Sequence, residues 1–147
     1  MIIPDLNLLV YAHHAADPRH TAARAWWENC LNGQEPVGMA WVTLLGFVRL
    51  TTHRQVLVTP LPVATVTGLV EEWLEQPVVR LLVPGRDHVR HCFGFLRKLG
   101  VAGNLTTDAH LAALALEYQA ELHSTDTDFA RFPGLHWRNP LEQKPRK

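Results

Sequence analysis

Short apolar runs that suit buried strands alternate with longer segments of helical periodicity along this chain of 147 residues. The predicted strands are Ile2-Ile3, 78–83 and, more weakly, 121–125, with a helical turn at 126–132 and a last extended piece at 135–137. Apolar residues recur at helical spacing over 6–15, 20–31, 40–50, 63–75, 87–99 and from 104 or 106 to about 118. Short strands separated by helices predict an α/β fold whose central parallel sheet is flanked by helices on both faces.

The length suits a single domain, which we expect to span residues 1–140, with a basic, flexible tail at 141–147. A hydrophobic share of 47% and a charged share of 19% are typical of a packed globular protein and exclude a disordered one. The two cysteines, Cys30 and Cys92, are too few for a disulfide framework, which favours a reducing compartment.

The net charge is zero, since 14 Lys and Arg residues balance 14 Asp and Glu residues. That balance excludes a protein that coats nucleic acid through bulk positive charge, although it does not exclude an enzyme acting on nucleic acid. The charge is unevenly divided, because most charged residues at 138–147 are basic and the remaining body is mildly acidic. The N-terminus has no basic region that would mark a secretory signal, and no apolar run approaches a membrane span, so we expect a cytoplasmic protein with no membrane partner.

Four of the six aspartates lie where a predicted strand ends or a helix begins. Asp5 follows the first strand, Asp126 and Asp128 follow the strand at 121–125, and Asp108 lies in the first turn of a late helix. The carboxyl ends of parallel strands form the ligand crevice of such sheets, so these acids converge if the first and late strands are neighbours. Clustered carboxylates are ligands of a hard divalent cation, Mg²⁺ with Mn²⁺ as its usual substitute, which indicates metal-dependent phosphodiester hydrolysis.

Each acid also has a purely structural interpretation. Asp5 and Asp126 suit the N-cap of the element that follows, and Asp108 in a first helical turn is favoured by the helix dipole. Taken alone, each is more often structural than functional, and only their joint placement favours a site.

Three motifs resemble those of PIN-domain ribonucleases, in particular the VapC toxins of VapBC toxin–antitoxin modules. They are residues 4–12 (PDLNLLVYA), 104–113 (NLTTDAHLAA) and 124–135 (STDTDFARFPGL), and the stretch 41–52 is similar to a subgroup of bacterial VapC proteins. The resemblance spans residues 1 to about 140, and it implies one PIN domain with a three-layer sandwich of helices around a parallel sheet.

The resemblance also implies a Mg²⁺-dependent endoribonuclease that acts as the toxin of a type II toxin–antitoxin system on tRNA or mRNA. Carried over by position, Asp5, Asp108 and Asp126 are the expected catalytic residues and metal ligands. Asn7, Thr125 and Asp128 are the expected supporting residues, which orient ligands or water. The implied partners are the RNA substrate, a VapB-type antitoxin that inserts a basic segment into the acidic cleft, and a second copy in a homodimer.

One position departs from the family pattern. Many members carry a glutamate three residues before an arginine on the helix after the second loop, whereas Gly46 stands three residues before Arg49 here. Two consequences remain open: a site that binds one metal through the three other acids, or a weak or inactive nuclease that still binds RNA or an antitoxin. We favour the first, because the other acids are all present.

Other chemistries fit the sequence poorly. A haloacid-dehalogenase-type phosphatase needs a second aspartate where this chain has Asn7, and no glycine-rich phosphate loop is present. The histidine groups at 13–20 and 88–91 lack the spacing of a structural zinc site and lie on helices with polar faces. The five tryptophans are expected mostly in the core, but one of the adjacent Trp26 and Trp27 suits an exposed interface patch.

Overall fold

The computed structural model describes residues 1–142, in which five short strands alternate with six helices. In chain order the elements are β1 (Ile2–Pro4), α1 (Leu6–His13), α2 (His20–Asn32), β2 (Val37–Met39), α3 (Trp41–Thr51), α4 (Val63–Glu75), β3 (Val79–Leu81), α5 (His88–Leu99), α6 (Leu105–Glu117), β4 (Glu121–His123), a 3₁₀ turn (Thr127–Arg131) and β5 (Trp137–Arg138). All six predicted helices are present, and α4 has the predicted bounds. Of the predicted tail at 141–147, residues 143–147 lie outside the described part of the chain.

The strands form one parallel sheet in the order β3-β2-β1-β4-β5. β1 lies directly beside β4, with Ile2 opposite Glu121 and Pro4 opposite His123. The predicted neighbourhood of the first and late strands is therefore confirmed, and the residues that follow β1 and β4 meet at the same edge of the sheet.

Helices cover both faces, which confirms the three-layer architecture. Ile3 and Leu122 point to the face covered by α5 and α6, whose buried residues are mainly small, such as Ala112. Val37 and Met39 point to the opposite face, which α1, α2, α3 and α4 cover with larger side chains. Alternate residues of each strand thus enter different cores, as the period of two in a strand requires.

The strand β2 was not expected, because its residues were assigned to the apolar run that precedes α3. It is only three residues long and carries Gly38 at its centre, a residue of low strand propensity. A Cβ at Gly38 would lie 2.6 Å from Leu82 Cδ1 and 3.0 Å from Met1 Sδ, so only glycine allows this close packing. The run at 78–83 is also shorter than expected: β3 is an edge strand, and its Arg80 and Leu81 are exposed.

The predicted placement of the tryptophans is partly wrong. Trp27 is buried and Trp26 is half-buried, donating its indole N–H to His123 Nδ1 at 3.1 Å, so neither forms an exposed patch. Trp41, expected in the core, is instead 54% exposed at the start of α3, and Leu45 is exposed one turn later. The helical spacing of α3 puts Leu44 and Phe47 inward, which leaves the first and fifth residues facing outward.

Among the described residues, none of the helices combines the length and apolar character needed to cross a bilayer.

Candidate active site

Asp5 joins the end of β1 to the start of α1. Its backbone N–H donates to His123 O at 2.9 Å, which ties it to the end of β4. Its Oδ1 accepts a hydrogen bond from the Leu6 N–H at 2.7 Å, so the structural role as an N-cap is real. The second oxygen, Oδ2, accepts from the Ser124 hydroxyl at 2.6 Å. One side chain therefore both starts a helix and presents a carboxylate at the sheet edge.

Ser124 connects the residues of this edge and was not among the predicted site residues. Its fully buried hydroxyl donates to Asp5 Oδ2 and accepts from Asn7 Nδ2 at 3.1 Å and from the Asp126 N–H at 2.9 Å. Thr125, which was expected to orient ligands, is half-buried beside Ser124. The sequence analysis named Thr125 and not Ser124, and only the direction of each side chain after β4 distinguishes these two adjacent hydroxyl residues.

Asp126 and Asp128 lie on the short turn that follows β4. Asp126 Oδ1 accepts from the Asp128 N–H at 2.8 Å, so Asp126 caps the 3₁₀ turn much as Asp5 caps α1. The Asp128 carboxylate is more exposed and lies 3.7 Å from the Arg131 guanidinium. These two predicted residues therefore reach the same edge in different environments, one within the network and one at its rim.

Asp108 approaches the same edge from the first turn of α6. Burial, and after it the negative charges of Asp5, Asp126 and Asp128, raise the pKa of this carboxyl to about 7. Burial also raises the pKa of Asp5, opposed by its hydrogen bonds to Ser124 and Leu6. The structure thus brings all four predicted aspartates into one electrostatic neighbourhood, although they come from three separate stretches of sequence.

A hard divalent cation fits this arrangement by donor chemistry. The available donors are carboxylate oxygens whose mutual repulsion a cation would relieve, and the buried Asn7 Oδ1 has no hydrogen-bond partner among the described residues. Within residues 1–142, no three His, Cys, Asp or Glu side chains already converge in a metal-binding geometry. The four aspartates lie near one another, but their carboxylate oxygens do not converge on one position.

Gly46 is buried where α3 packs on α1. A Cβ at this position would lie 2.6 Å from Leu6 Cδ2, so the Leu6 side chain occupies the space that a larger residue at 46 would enter. Arg49, three residues later, is exposed. The family pattern expects an acidic side chain at position 46. Here the side chain of Leu6, the residue next to Asp5, occupies that space.

The histidines lie outside the carboxylate cluster. His88 is buried, contrary to the expectation that its helix presents it on a polar face. Its Nδ1 lies 3.0 Å from Glu117 Oε2 and its Nε2 lies 2.8 Å from His110 Nδ1, so it joins α5 to α6. Burial lowers the pKa of His123, which accepts from Trp26 and lies 2.7 Å from Glu121 Oε1. The contacts of these histidines join helices and strands to one another. The oxygen ligands for a cation therefore come from the aspartates.

Comparisons with known proteins agree with this geometry. A family model described as PIN domain matches residues 2–135. The chain is 50% identical over 143 residues to Ribonuclease VapC33 of Mycobacterium tuberculosis, and the match covers 97% of this chain and 100% of that protein. Among solved structures, VapC20 of Mycobacterium tuberculosis, described as a sarcin-ricin loop cleaving toxin, has a TM-score of 0.68 at 18% identity and covers 92% of this chain and 99% of that one. VapBC-1 from nontypeable Haemophilus influenzae also has a TM-score of 0.68, at 20% identity, and covers 97% of this chain and 100% of that one.

Proposed function

The chain belongs to the PIN-domain family, among its VapC ribonucleases, and on that premise we propose that it is a Mg²⁺-dependent endoribonuclease toxin that hydrolyses phosphodiester bonds of tRNA or mRNA. The observation that carries the proposal is the Asp108 carboxyl, whose pKa is raised to about 7 by burial and by three neighbouring carboxylates. Four neighbouring negative charges do not stabilise a fold by themselves. Carboxyl groups with strongly shifted pKa values are typical of functional sites. We also propose a cytoplasmic location, where tRNA and mRNA substrates are present.

Asp5, Asp108 and Asp126 would hold the cation, for which Mg²⁺ is the first choice and Mn²⁺ the substitute. When bound, the cation would supply an activated water and neutralise charge on the phosphodiester. The chain's own groups prepare this site. Ser124 holds the Asp5 carboxylate and the backbone of Asp126 in one orientation, and Asn7 keeps a buried carbonyl oxygen available beside them.

Asn7, Thr125 and Asp128 remain supporting residues in this proposal. Asn7 is fixed by its bond to Ser124, which orients its free Oδ1. Asp128 contributes negative charge at the rim, where Thr125 is also partly accessible. Rim groups of this kind position water or substrate without being buried themselves.

Two protein partners are proposed, one from the acidic edge and one from exposed apolar side chains. An acidic edge attracts a basic segment of a VapB-type antitoxin, which would compete with the cation and with RNA. We assign the exposed pair Trp41 and Leu45 to the interface of a homodimer, because adjacent large apolar side chains on one helix face are costly to leave in water. A Leu45→Lys variant that keeps its molecular mass in solution unchanged contradicts this assignment.

Cleavage of single-stranded RNA by purified protein tests the nuclease proposal. We expect cleavage with Mg²⁺ or Mn²⁺, none with excess chelator, and a loss of activity in Asp5→Asn of about 100-fold or more, beyond the effect typical of residues behind the ligands. Glu71→Gln, which removes an exposed acid from α4, is the matched control and should cleave as the wild type does. Full activity of Asp5→Asn would contradict the proposal.

The alternative is a weak or inactive protein that binds RNA or an antitoxin, and Gly46 favours it. The cleavage assay distinguishes the nuclease from the inactive binding protein. An inactive protein would bind RNA or antitoxin but show no metal-dependent cleavage. The Leu6 side chain over Gly46 gives a further test. Gly46→Glu alone overpacks this contact, whereas Leu6→Ala with Gly46→Glu makes room for the added carboxylate. A large gain in cleavage by the double variant would support the alternative for the natural protein.

A further inference from the structure

We propose that the outward face of α5 binds the phosphate backbone of the substrate RNA and leads it to the carboxylate edge. This inference rests on the proposed ribonuclease function and adds to it a docking surface outside the catalytic cluster. We call this surface the α5 face and define it by Arg86, Arg90, Phe93, Arg97 and Lys98.

The two sides of α5 differ sharply in character. The inward side buries His88, Cys92 and Phe95 against the sheet and α6. The outward side exposes half of the Phe93 side chain and 73% of Arg90, and both Arg97 and Lys98 are exposed. The spacing of 90, 93 and 97 is that of neighbours on one helix face, so Phe93 lies between two arginines.

The charge of the α5 face is strongly one-sided for a protein with no net charge. Four basic residues stand against a single acid, Asp87, which lies 3.3 Å from Arg90. From His88 to Thr107 the chain contains no Asp or Glu. Three of the four basic residues lie on α5 and Arg86 lies just before it, and such a concentration of positive charge is the electrostatic pattern that binds phosphates.

The position of α5 connects this charge to the carboxylate edge. His88, at the start of α5, lies beside Glu117, at the end of α6, so the two helices run antiparallel. The end of α5, with Arg97 and Lys98, therefore lies near the start of α6, whose first turn carries Asp108. Arg90 and Arg97 are about 10 Å apart along the helix axis, a span of more than one nucleotide.

RNA is the occupant that fits both properties of this face. The four carboxylates repel a polyanion, so productive binding needs attraction from a neighbouring surface, and the α5 face supplies it. An exposed aromatic ring between cationic side chains is suited to stacking on a base, as in other surfaces that bind single strands. A basic antitoxin segment would be repelled here and attracted to the carboxylates instead.

Neutralising the face tests the proposal. The full chain with Arg90→Gln, Arg97→Gln and Lys98→Gln is compared with wild type for cleavage of a long single-stranded RNA and of a four-nucleotide RNA. We expect KM for the long RNA to rise about 10-fold or more with kcat changed less than twofold, and the short substrate to be unaffected. Binding of a non-cleavable oligodeoxynucleotide should also weaken, and the slope of log K against log salt should fall by about 2 for three lost single-strand contacts.

Two sets of controls isolate the cause. Arg90→Lys, Arg97→Lys and Lys98→Arg together keep the charge and should keep binding, and Arg24→Gln removes an exposed arginine from α2 and should change nothing. Phe93→Tyr should bind as wild type, whereas Phe93→Leu should weaken binding, because leucine is apolar but does not stack. If the triple variant does not fold, Arg97→Gln and Lys98→Gln are measured singly.

The outcomes separate this inference from the function on which it rests. Unchanged affinity and salt slope in the neutralised variant would overturn the α5 face while leaving a cleaving enzyme intact. Weakened oligonucleotide binding by a protein that cleaves no RNA would support the α5 face and refute the nuclease. If Phe93→Leu binds nucleic acid normally and the triple variant alters only self-association or antitoxin binding, the face binds protein and the inference is wrong.

Discussion

The two ends of α6 carry acids in opposite electrostatic surroundings. At its start, Asp108 faces three other carboxylates, and burial together with their charge raises its pKa to about 7. At its end, Glu117 Oε2 accepts from the Gly85 N–H at 3.3 Å and lies 3.0 Å from His88 Nδ1. One helix thus carries an acid that faces like charges and an acid whose Oε2 has donors, while the buried Oε1 of Glu117 has no hydrogen-bond partner among the described residues.

On this difference, rather than on burial, we base the proposal that Asp108 is functional and Glu117 structural. Asp108 is half-buried and Glu117 is more fully buried, yet Glu117 Oε2 has donors within the protein whereas Asp108 faces other carboxylates. An acid placed among acids lowers stability unless something outside the fold compensates. The compensation that we propose at Asp108 is the divalent cation.

The largest expected effect comes from Asp108→Asn. This change should reduce RNA cleavage about 100-fold or more, because it removes a proposed ligand. It should also raise Tm at pH 8 by about 2–5 °C, since an amide ends the repulsion with the other carboxylates. RNA cleavage and thermal unfolding in chelator measure the two effects. Loss of both activity and stability would mean that Asp108 is structural.

The opposite end of α6 should respond in the opposite way. Glu117→Ala leaves His88 and the Gly85 N–H without their acceptor and should lower the free energy of unfolding by about 1–3 kcal/mol. Cleavage per folded molecule should change less than twofold, because Glu117 lies outside the carboxylate cluster. Denaturant unfolding and activity below the transition measure this pair of effects. A large drop in kcat with unchanged stability would contradict the comparison.

The smallest expected effect is a pH dependence of stability without metal. The folded-state pKa of Asp108 lies above the value of 3.8 that it has when exposed, so its contribution is fully present below about pH 4 and is lost as pH rises to about 7. Allowing for solvent screening of this half-buried group, the loss is about 1 kcal/mol. Denaturant unfolding from pH 4 to 8 in chelator measures it, with Asp108→Asn as the control that should lack the slope. Added Mg²⁺ should restore stability at neutral pH.

The sequence predicted which acids meet at the sheet edge better than it predicted the sheet. The positions of Asp5, Asp108 and Asp126 were predictable because turns and helix starts can be recognised in local sequence, and the parallel pairing of β1 with β4 brings Asp5 and Asp126 to the same edge. β2 was not predicted because its three residues, centred on Gly38, show no alternation of apolar and polar side chains. They form a strand only through packing with distant parts of the chain.

The hydrogen bonds among the residues at this edge were less predictable than the identity of those residues. That Ser124 rather than Thr125 bonds to Asp5 depends on which way one side chain points after β4. The exposure of Trp41 likewise depends on the rotation of α3 on its neighbours, since an apolar helix shows no single inward stripe. Local sequence specifies which residues arrive at an edge, and tertiary packing specifies what they touch.

The contact of Leu6 with Gly46 has a consequence for how this chain diverges from its relatives. Because Leu6 Cδ2 lies 2.6 Å from where a Cβ at 46 would be, a larger residue at 46 requires the Leu6 side chain to move or to be smaller. They are expected to covary: a relative with an acid at the position of Gly46 should carry a small residue at that of Leu6. If they do, the absence of an acid at 46 and the presence of leucine at 6 are one coupled change in packing, which alters the surroundings of Asp5 without replacing it.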